Sequence, residues 1–418
     1  MGFGLKIRKG AAAWIFVSMA AGIPVCAPAA QPPTPDQAAY REFVREFRGV
    51  ALGQGIPAPL YDRAFRGLTP DPEVVAKNNR QPEFVLPASH YVTLLITDTR
   101  VNEGRRKLSE YAADLKGIEQ RYGVDRHVLV ALWGMETLYG TLRGKRNVIR
   151  SLSTLAYKGR RAKFGRQQLL AALRILKAGD ITLDRMTGSW AGAMGHTQFI
   201  PTSYTAYAVD FTGDGRRDIW DTPQDALAST ANYLRRSGWL PGRPWGHQVV
   251  LPQRFDASLA GRKHERPVRQ WRRTGLRRAG GAALPHPDDR AYLYLPAGRD
   301  GPAFLVRQNF RSIMRYNPAH KYALAIGHLA DRLRGKDGSL TWPDGIRSMV
   351  ETDRKELQRL LAARGYDIGE IDGIIGPRTR AAIRDYQGKK QRHVDGFPRP
   401  EILELLRSDA AAHSPRRE

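Results

Sequence analysis

Residues 123–140 read GVDRHVLVALWGMETLYG, and this stretch places an acidic residue on the apolar face of a helix. Asp125 is a suitable N-cap, and the apolar residues that follow it recur at the helical period. Glu136 lies three and four residues after Trp133 and Leu132, which puts its carboxyl group on the apolar side of the predicted helix. Burial there disfavours the ionised carboxylate and raises its pKa. A carboxyl group with a raised pKa can donate a proton near neutral pH.

The same pattern permits a second interpretation of Glu136, as a structural carboxylate. The side chain could turn toward solvent or pair with a nearby arginine, and ionic networks of that kind also shift the pKa of carboxyl groups. The helix alone therefore leaves a catalytic and a structural role open. The longer motifs of the chain have to decide between them.

Two long motifs resemble those of a known enzyme family. They are ALWGMETLYG at 131–140 and SWAGAMGHTQFIPTSYTAYAVDFTGDGRRDIWD at 189–221. Both look like the core motifs of the membrane-bound lytic murein transglycosylase B family, and the resemblance extends from about Gln81 to Tyr322. The family implies a lysozyme-like fold and cleavage of the glycan strands of peptidoglycan. Motifs of this length, with Trp, Gly and Met at fixed places, are not expected by chance.

The resemblance also implies how the reaction proceeds. Glycoside cleavage normally uses two carboxyl groups, but this family uses one, which here is Glu136. It protonates the oxygen of the MurNAc-GlcNAc β-1,4 bond and then deprotonates the C6 hydroxyl of the same muramoyl residue, so that a 1,6-anhydro ring closes by intramolecular attack. No cofactor is required for this chemistry. The alternatives are a hydrolytic muramidase and a non-catalytic peptidoglycan-binding or scaffolding protein.

The family pattern places further residues along a glycan cleft. Gly192 and Gly195 are expected to let the backbone approach the sugar closely, and a pair of arginines suits a carboxylate of the lactyl or peptide group. For any single tyrosine or arginine, core packing or a surface charge explains the residue equally well. The expected substrate-binding residues are Tyr91, Arg160, Arg161, Ser189, Gln198, Tyr316, Asn317 and Tyr322.

Residues 210–225, DFTGDGRRDIWDTPQD, have the spacing of a calcium-binding loop. Acidic and hydroxyl side chains alternate around a glycine, as in an EF-hand-like pattern. Relatives in the family bind one calcium through a longer loop, which implies a later aspartate as the closing ligand. An Asp-Gly turn before a helix is the alternative, and any bound Ca²⁺ is expected to be structural. The candidate ligands are Asp210, Thr212, Asp214, Arg216 through its backbone carbonyl, Asp221 and Asp225.

The N-terminus has the pattern of a secretory signal peptide. Basic residues precede the apolar run AAAWIFVSMAAGIPV at 11–25, and small residues follow it up to Ala30. We expect residues 1–30 to be removed on export to the periplasm. An outer-membrane lipoprotein anchored at Cys26 is the alternative, which Val25 disfavours because lipoprotein cleavage prefers a small residue there. Loss of the only cysteine would exclude disulfides and cysteine-ligated metals from the mature protein.

The chain is strongly basic, with a formal net charge of +26. Such a charge usually indicates nucleic acid binding, but an exported protein instead meets the carboxylates of stem peptides and the phosphates of lipid surfaces. We therefore expect peptidoglycan glycan strands as the partner, cell-wall synthesis proteins as further candidates, no nucleic acid, and a monomer. Part of the positive charge lies at 261–281, where basic residues surround Trp271. This stretch can be interpreted as a solvated surface loop or as a dedicated binding patch.

The remaining catalytic region, 31–335, predicts a mainly α (α+β) fold. Residues 105–122 carry apolar residues at three- and four-residue steps, which predicts one amphipathic helix, and 312–333 predicts another. Residues 247–310 contain short β-rich runs among Gly and Pro. They predict a small β subdomain attached to a lysozyme-like helical core.

The C-terminal region predicts a separate module. A break rich in Gly, Asp and Ser at 336–352 reads as a linker, and residues 353–408 contain three amphipathic helices. The pattern D-G-x-x-G-x-x-T, which starts at Asp372, resembles the three-helix peptidoglycan-binding type 1 domain. Glycines that cap the helices of any small bundle give the same pattern. Residues 409–418 read as a disordered tail.

Overall fold

The computed structural model describes residues 36–78, 87–159, 161–336, 340–342 and 349–413. The predicted signal peptide lies outside these residues, as does part of the predicted linker. Within the described ranges, no helix is long and apolar enough to cross a bilayer.

Contacts divide the described residues into two units. The first unit contains the described residues up to 81 together with 96–242 and 311–336. The second contains those among 82–95, 243–310 and 337–418. The first unit holds Glu136, and the second holds the β subdomain and the C-terminal helices.

The described residues from 36 to 236 are mainly helical, with loops between the helices and one short antiparallel strand pair, residues 146–147 with 187–188. This region confirms the prediction of a mainly helical core. Its elements are α1 (Gln37–Gly53), α2 (Ala58–Phe65), α3 (Pro72–Asn78), α4 (Ala88–Leu95), α5 (Asp98–Glu110), α6 (Ala112–Tyr122), α7 (Arg126–Thr137), β1 (Arg146–Asn147), α8 (Val148–Tyr157), α9 (Ala162–Ala178), β2 (Thr187–Gly188), α10 (Pro201–Tyr207) and α11 (Pro223–Arg236).

Helix α7 lies at the centre of the first unit and packs against α5, α6 and α11. Asp125 caps it, because its side chain accepts a hydrogen bond from the backbone N–H of His127 (2.8 Å). Every residue from Val128 to Thr137 is buried, so beyond its first two residues no face of this helix meets solvent. Glu136 therefore enters the core with its helix, as the sequence predicts.

Helix α7 ends in two successive left-handed residues, Leu138 (φ 50°) and Tyr139 (φ 58°). The Tyr139 ring then folds back, and its hydroxyl donates to the carbonyl of Arg100 (2.7 Å). Gly104 on α5 and Gly134 on α7 make room for the ring, since a Cβ at either position would collide with it. The turn after the acid is thus fixed by a tyrosine that occupies the space left by two glycines.

Two predicted helices are broken in the structure. The helix predicted at 105–122 divides at Tyr111, whose backbone leaves the helical region (φ −106°, ψ 25°) while its ring packs edge-on against Trp133. The helix predicted at 312–333 divides around Pro318, because proline restricts the residue before it and cannot donate a backbone hydrogen bond. Apolar periodicity continued through both breaks and so did not reveal the change of direction.

A five-stranded antiparallel sheet forms the predicted β subdomain, in the strand order 266–267, 290–294, 303–306, 246–250 and 277–278. Its core contains the wholly buried side chains of Val268, Trp271 and Leu293. The sheet and the two helices after it are β3 (Gly246–Val250), β4 (Arg266–Pro267), α12 (Val268–Arg273), β5 (Arg277–Arg278), β6 (Arg290–Tyr294), β7 (Ala303–Val306), α13 (Gln308–Tyr316) and α14 (His320–Leu333). Helix α14 also packs against α7 in the first unit.

Three helices close the chain: α15 (Glu351–Ala362), α16 (Pro377–Lys389) and α17 (Pro400–His413). Their shared core begins at Met349, before the predicted module boundary. Helix α17 continues into the predicted tail, where Asp409 accepts hydrogen bonds from Tyr386 Oη (2.8 Å) and Lys390 Nζ (2.7 Å). The described part of the tail is therefore helical and in contact with α16.

The C-terminal helices contact the β subdomain within the second unit. Asp395, whose side chain is buried, accepts a hydrogen bond from the backbone N–H of Arg299 (3.2 Å). Arg399 bridges Asp395 (2.7 Å) and Asp300 (3.0 Å). These charged contacts join segments almost a hundred residues apart, and the local sequence carries no signal for them.

Candidate active site

Glu136 is buried, with 4% of its surface exposed. Its Oε1 accepts a hydrogen bond from Tyr322 Oη on α14, and its Oε2 has no hydrogen-bond partner among the described residues. Burial raises the pKa of the Glu136 carboxyl to about 8, against the smaller lowering effect of the Tyr322 hydrogen bond. The group is therefore mostly protonated at neutral pH, with one oxygen held by a phenol and the other unpaired.

Tyr316, at the end of α13, belongs to the same buried cluster. Its hydroxyl donates to the backbone carbonyl of Thr197, in the loop of the second motif. Burial raises the pKa of Tyr316 well above its ordinary value, and the charge of Glu136 adds to this effect. The structure thus brings together predicted residues from two distant parts of the sequence, Glu136 and the pair Tyr316 and Tyr322.

Asn317 follows Tyr316 and has a local role. Its side-chain oxygen accepts a hydrogen bond from the backbone N–H of Ala319 (3.1 Å), immediately before α14 begins. It shapes the turn between α13 and α14, and so helps to set the direction from which Tyr322 enters the site.

Ser189 and Gln198 stand at the two ends of the loop of the second motif and brace it. Ser189 Oγ accepts a hydrogen bond from the backbone N–H of Ala193 (3.0 Å). Gln198 Nε2 donates to the carbonyls of Gly195 (3.0 Å) and Arg143 (3.1 Å). Both side chains are buried and directed at protein groups, so their visible role is to hold the loop that carries Thr197.

Gly192 and Gly195 are required by the same loop. Both have positive φ (82° and 68°), a conformation that favours glycine. A Cβ at Gly192 would collide with Leu152, and one at Gly195 with the carbonyl of Ile219. The sequence predicts that the backbone at these glycines approaches the sugar. In the structure, the groups close to them are Leu152 and the Ile219 carbonyl of the protein itself.

The remaining predicted substrate residues lie at different places. The Arg161 guanidinium lies over the Phe164 ring (4.6 Å) and, at 5.8 Å, over the Trp190 ring of the second motif. Tyr91 is half-buried on α4 in the second unit. Arg160 lies outside the described residues.

Three aspartates of the 210–225 loop form an acidic cluster. One carboxylate oxygen from each of Asp210, Asp214 and Asp225 lies within 4.8 Å of the others. Asp225 is wholly buried, and its pKa is raised by burial and, to a smaller extent, by the charge of Asp210. Asp225 also closes the loop, since it accepts backbone hydrogen bonds from Phe211 (2.9 Å) and Asp218 (3.0 Å). A cation among these oxygens would relieve their mutual repulsion.

The other predicted ligands are arranged around this cluster, except Asp221. The Thr212 hydroxyl lies 3.4 Å from oxygens of Asp210 and Asp225, and Arg216 pairs with Asp214 (3.3 Å). Asp221 instead pairs with Arg143 (3.3 Å) and Arg185, away from the cluster.

The turn before Asp221 explains its position. Asp218 Oδ1 accepts hydrogen bonds from the backbone N–H groups of Trp220 and Asp221, both at 2.9 Å. This turn directs the Asp221 side chain toward the two arginines. Asp225, in the first turn of α11, therefore closes the loop in its place.

Residues 39–331 match the family model described as Transglycosylase SLT domain, and residues 350–406 match that of a putative peptidoglycan binding domain. The chain belongs to the transglycosylase SLT family. This confirms the family predicted from the two motifs and the resemblance of the C-terminal helices. Among curated proteins, it is 33% identical over 245 residues to membrane-bound lytic murein transglycosylase B of Escherichia coli K12. The match spans 57% of this chain and 65% of that enzyme, slightly less than two thirds.

Solved structures of the transglycosylase SLT family resemble the chain over most of its length. SltB3 from Pseudomonas aeruginosa, in complex with NAG-anhNAM-pentapeptide, is 50% identical with a TM-score of 0.85, covering 88% of this chain and 99% of that one. The lytic transglycosylase Slt35 of Escherichia coli, in complex with calcium, is 28% identical with a TM-score of 0.61, covering 72% and 94%. The chain is thus a cell-wall enzyme of the lytic transglycosylase family.

One connection in this SLT domain was missed by the sequence analysis. Trp133 Nε1 donates to His196 Nδ1 (3.0 Å), and Thr137 Oγ1 donates to the His196 carbonyl (2.6 Å). Burial lowers the pKa of His196 to about 4, so the ring is neutral and its Nδ1 can accept the indole proton. Trp133 and Thr137 flank Glu136 and fasten its helix to the loop. Their polar groups on an otherwise apolar helix were the available signal.

Proposed function

We propose that this protein cleaves the MurNAc-GlcNAc β-1,4 bond of peptidoglycan and leaves 1,6-anhydro-MurNAc ends. The observation that carries the proposal is the buried Glu136 carboxyl, whose pKa is about 8 and whose Oε2 has no partner among the described residues. A proton donor for a glycosidic oxygen needs both properties. Burial raises the pKa of Glu136 and the Tyr322 hydrogen bond lowers it to a smaller extent, while no carboxylate of the described residues contributes to the shift. This fits a reaction that uses one acid.

In the first step, Glu136 donates its proton to the glycosidic oxygen as the bond to C1 breaks. The carboxylate that results is stabilised by the Tyr322 hydroxyl, which donates to Oε1. In the second step, the carboxylate takes the proton of the C6 hydroxyl while that oxygen bonds to C1. The proton returns to Glu136, so the enzyme is regenerated without water. Intramolecular attack replaces an activated water and gains from proximity.

The identity of the product tests this proposal. We expect purified sacculi digested with the protein to yield muropeptides that end in 1,6-anhydro-MurNAc, each lighter by one water than a hydrolytic product when measured by mass spectrometry. Reducing ends would instead support the hydrolytic muramidase. Absence of any released muropeptide would support the non-catalytic scaffold. The anhydro sugar named in the ligand of the SltB3 complex favours the first outcome.

We propose that the C-terminal helices bind the cell wall and raise the local concentration of glycan at the catalytic domain. Two observations support this role. Residues 350–406 match the family model of a putative peptidoglycan binding domain, and the three helices share a hydrophobic core. Glycan strands are then the partner of both parts of the chain. The basic composition and the predicted signal peptide support a protein that works in the periplasm. We propose that it is a monomer and that cell-wall synthesis proteins are further partners.

Removal of the C-terminal helices tests their role. A chain that ends after Gly335 is expected to bind intact sacculi at least about tenfold more weakly, because one of two binding elements is lost. Cleavage of short soluble strands should change by less than about twofold. Sedimentation with sacculi and product release from short strands measure the two effects, after circular dichroism has shown that the shortened chain folds. Loss of both activities would make the helices part of the catalytic fold.

We propose that Asp210, Asp214 and Asp225 bind one structural Ca²⁺, with Thr212 and the Arg216 carbonyl beside them. The cluster supplies three hard oxygen ligands, which calcium prefers, and the Slt35 structure is a complex with calcium. Asp221, engaged by two arginines, is the least suited of the six predicted ligands.

Calcium is expected to raise the melting temperature without affecting cleavage. Binding to the native state alone stabilises it by mass action, and each kcal/mol of binding free energy raises Tm by about 2–4 °C in a domain of this size. Asp214→Asn should reduce the calcium-induced rise, whereas Asp221→Asn, the matched control, should retain it. The same Tm in calcium and in chelator would contradict the site.

A further inference from the structure

The β subdomain carries a cavity of about 390 Å³ lined by five arginines. They are Arg269, Arg272, Arg273, Arg277 and Arg278, and the remaining wall is formed by Leu276 and the segment 281–284. The lining contains no acidic residue. Most of the lining lies in the basic stretch at 261–281, for which the sequence allows two interpretations, a solvated surface loop or a binding patch.

The fold directs these side chains to one place. Val268 and Trp271 of α12 are wholly buried, and Trp271 Nε1 donates to the carbonyl of Ala291 (2.8 Å). With those two residues fixed in the core, Arg269, Arg272 and Arg273 share the opposite face of the helix, at the i, i+3 and i+4 positions. Strand β5, which pairs with β3, adds Arg277 and Arg278. Trp271 is therefore the anchor of the patch and is not exposed for stacking.

The positive charges of the cavity are largely uncompensated. Arg269 alone among the five forms an ion pair with a described carboxylate, that of the exposed Asp288. Among the described residues, the Arg277 guanidinium donates only to the carbonyls of Arg272 (3.4 Å) and Leu276 (3.3 Å). Like charges three and four residues apart destabilise a helix, so this arrangement opposes folding in the absence of an anion.

We propose that this cavity binds a phosphate-bearing ligand. Guanidinium groups present paired donors that match phosphate oxygens, and a phosphate monoester carries close to two negative charges at neutral pH. A single carboxylate would leave most of the five cations uncompensated, whereas a diphosphate or a pair of phosphates would not. The cavity is also larger than one phosphate requires. The phosphate can be free or carried by a lipid headgroup.

The test compares two triple variants of the full-length protein that lose the same charge. The first is Arg272→Gln, Arg273→Gln and Arg278→Gln. The control is Arg41→Gln, Arg66→Gln and Lys116→Gln, whose side chains are exposed on the first unit. Calorimetric titration with pyrophosphate should show an affinity loss of at least about tenfold in the first variant and less than about twofold in the control. Citrate, a carboxylate of similar charge, should bind more weakly than pyrophosphate.

Vesicles separate the two sources of phosphate. Binding to phosphatidylcholine vesicles that contain phosphatidic acid, reversed by pyrophosphate, would assign a lipid headgroup, whereas pyrophosphate binding without vesicle binding would assign a free phosphate. Equal losses in both triple variants, equal affinity for citrate, or no binding to either probe would overturn the proposal. Cleavage of short glycan strands should remain normal in the first variant, so this test and that of the cleavage reaction fail independently.

Discussion

Replacement of Glu136 by Gln is expected to reduce cleavage of peptidoglycan by about 10²- to 10⁴-fold or more, the contribution of a positioned acid and base. Gln keeps the shape of the side chain and can still accept the Tyr322 hydrogen bond, but it carries no transferable proton. Release of anhydro-muropeptides, measured by mass spectrometry at neutral pH, gives the rate. Because one carboxyl group serves both steps of the proposed reaction, neither step should survive the change.

The matched control is Glu46→Gln, which removes the charge of an exposed glutamate on α1. It should cleave at the rate of the unaltered protein. Circular dichroism should show that both variants keep the native helix content. Cleavage by the Glu136→Gln variant at the normal rate would refute the assignment of the acid, whatever the product.

The same substitution is expected to make the protein more stable at alkaline pH. The Glu136 carboxyl has a pKa of about 8 in the folded protein, against an ordinary value of 4.5. Between these values the folded state binds a proton that the unfolded state has released, so stability falls as pH rises, by about 1.4 kcal/mol per pH unit. Above the folded pKa the loss is complete and the curve levels off. Gln at this position has no proton to lose.

Thermal unfolding between pH 5 and pH 9 measures this effect. The difference in Tm between the Glu136→Gln variant and the unaltered protein should grow in favour of the variant up to about pH 8 and then stay constant. The slope is the diagnostic quantity, because any change in packing by the amide adds a constant. A Tm difference that does not vary with pH would mean that Glu136 is ionised in the folded protein.

Local sequence patterns predicted much of the fold. Asp125 caps α7 and Glu136 is buried because capping and apolar spacing act within a few residues. The β-rich stretch at 247–310 and the three C-terminal helices also follow from local patterns. The break at Tyr111 was not predictable in this way, and the Tyr111 ring packs against Trp133 on another helix, a contact that local spacing does not reveal.

The residues of the active site and of the acidic loop could not be predicted from local sequence patterns alone. The family resemblance selected Tyr316 and Tyr322, which lie far from Glu136 in sequence, but no spacing rule connects His196 to Trp133. The acidic loop shows the same limit, because the EF-hand-like spacing places Asp221 among the candidate ligands. The turn at Asp218 and two arginines, one of them from before α8 and one from after α9, draw Asp221 away. The positions of such side chains are determined by contacts between residues that are far apart in sequence.

The turn after Glu136 has a consequence for how this enzyme can change over evolution. Leu138 and Tyr139 hold a backbone conformation that is unfavourable for residues other than glycine, and the Tyr139 ring fixes it by filling the space above Gly104 and Gly134. A larger residue at either glycine would displace the ring, while loss of the ring would leave a cavity between α5 and α7. Substitutions at Gly104, Gly134 and Tyr139 are therefore coupled. A homologue that changes one of these residues is expected to change the other two and the conformation of the turn.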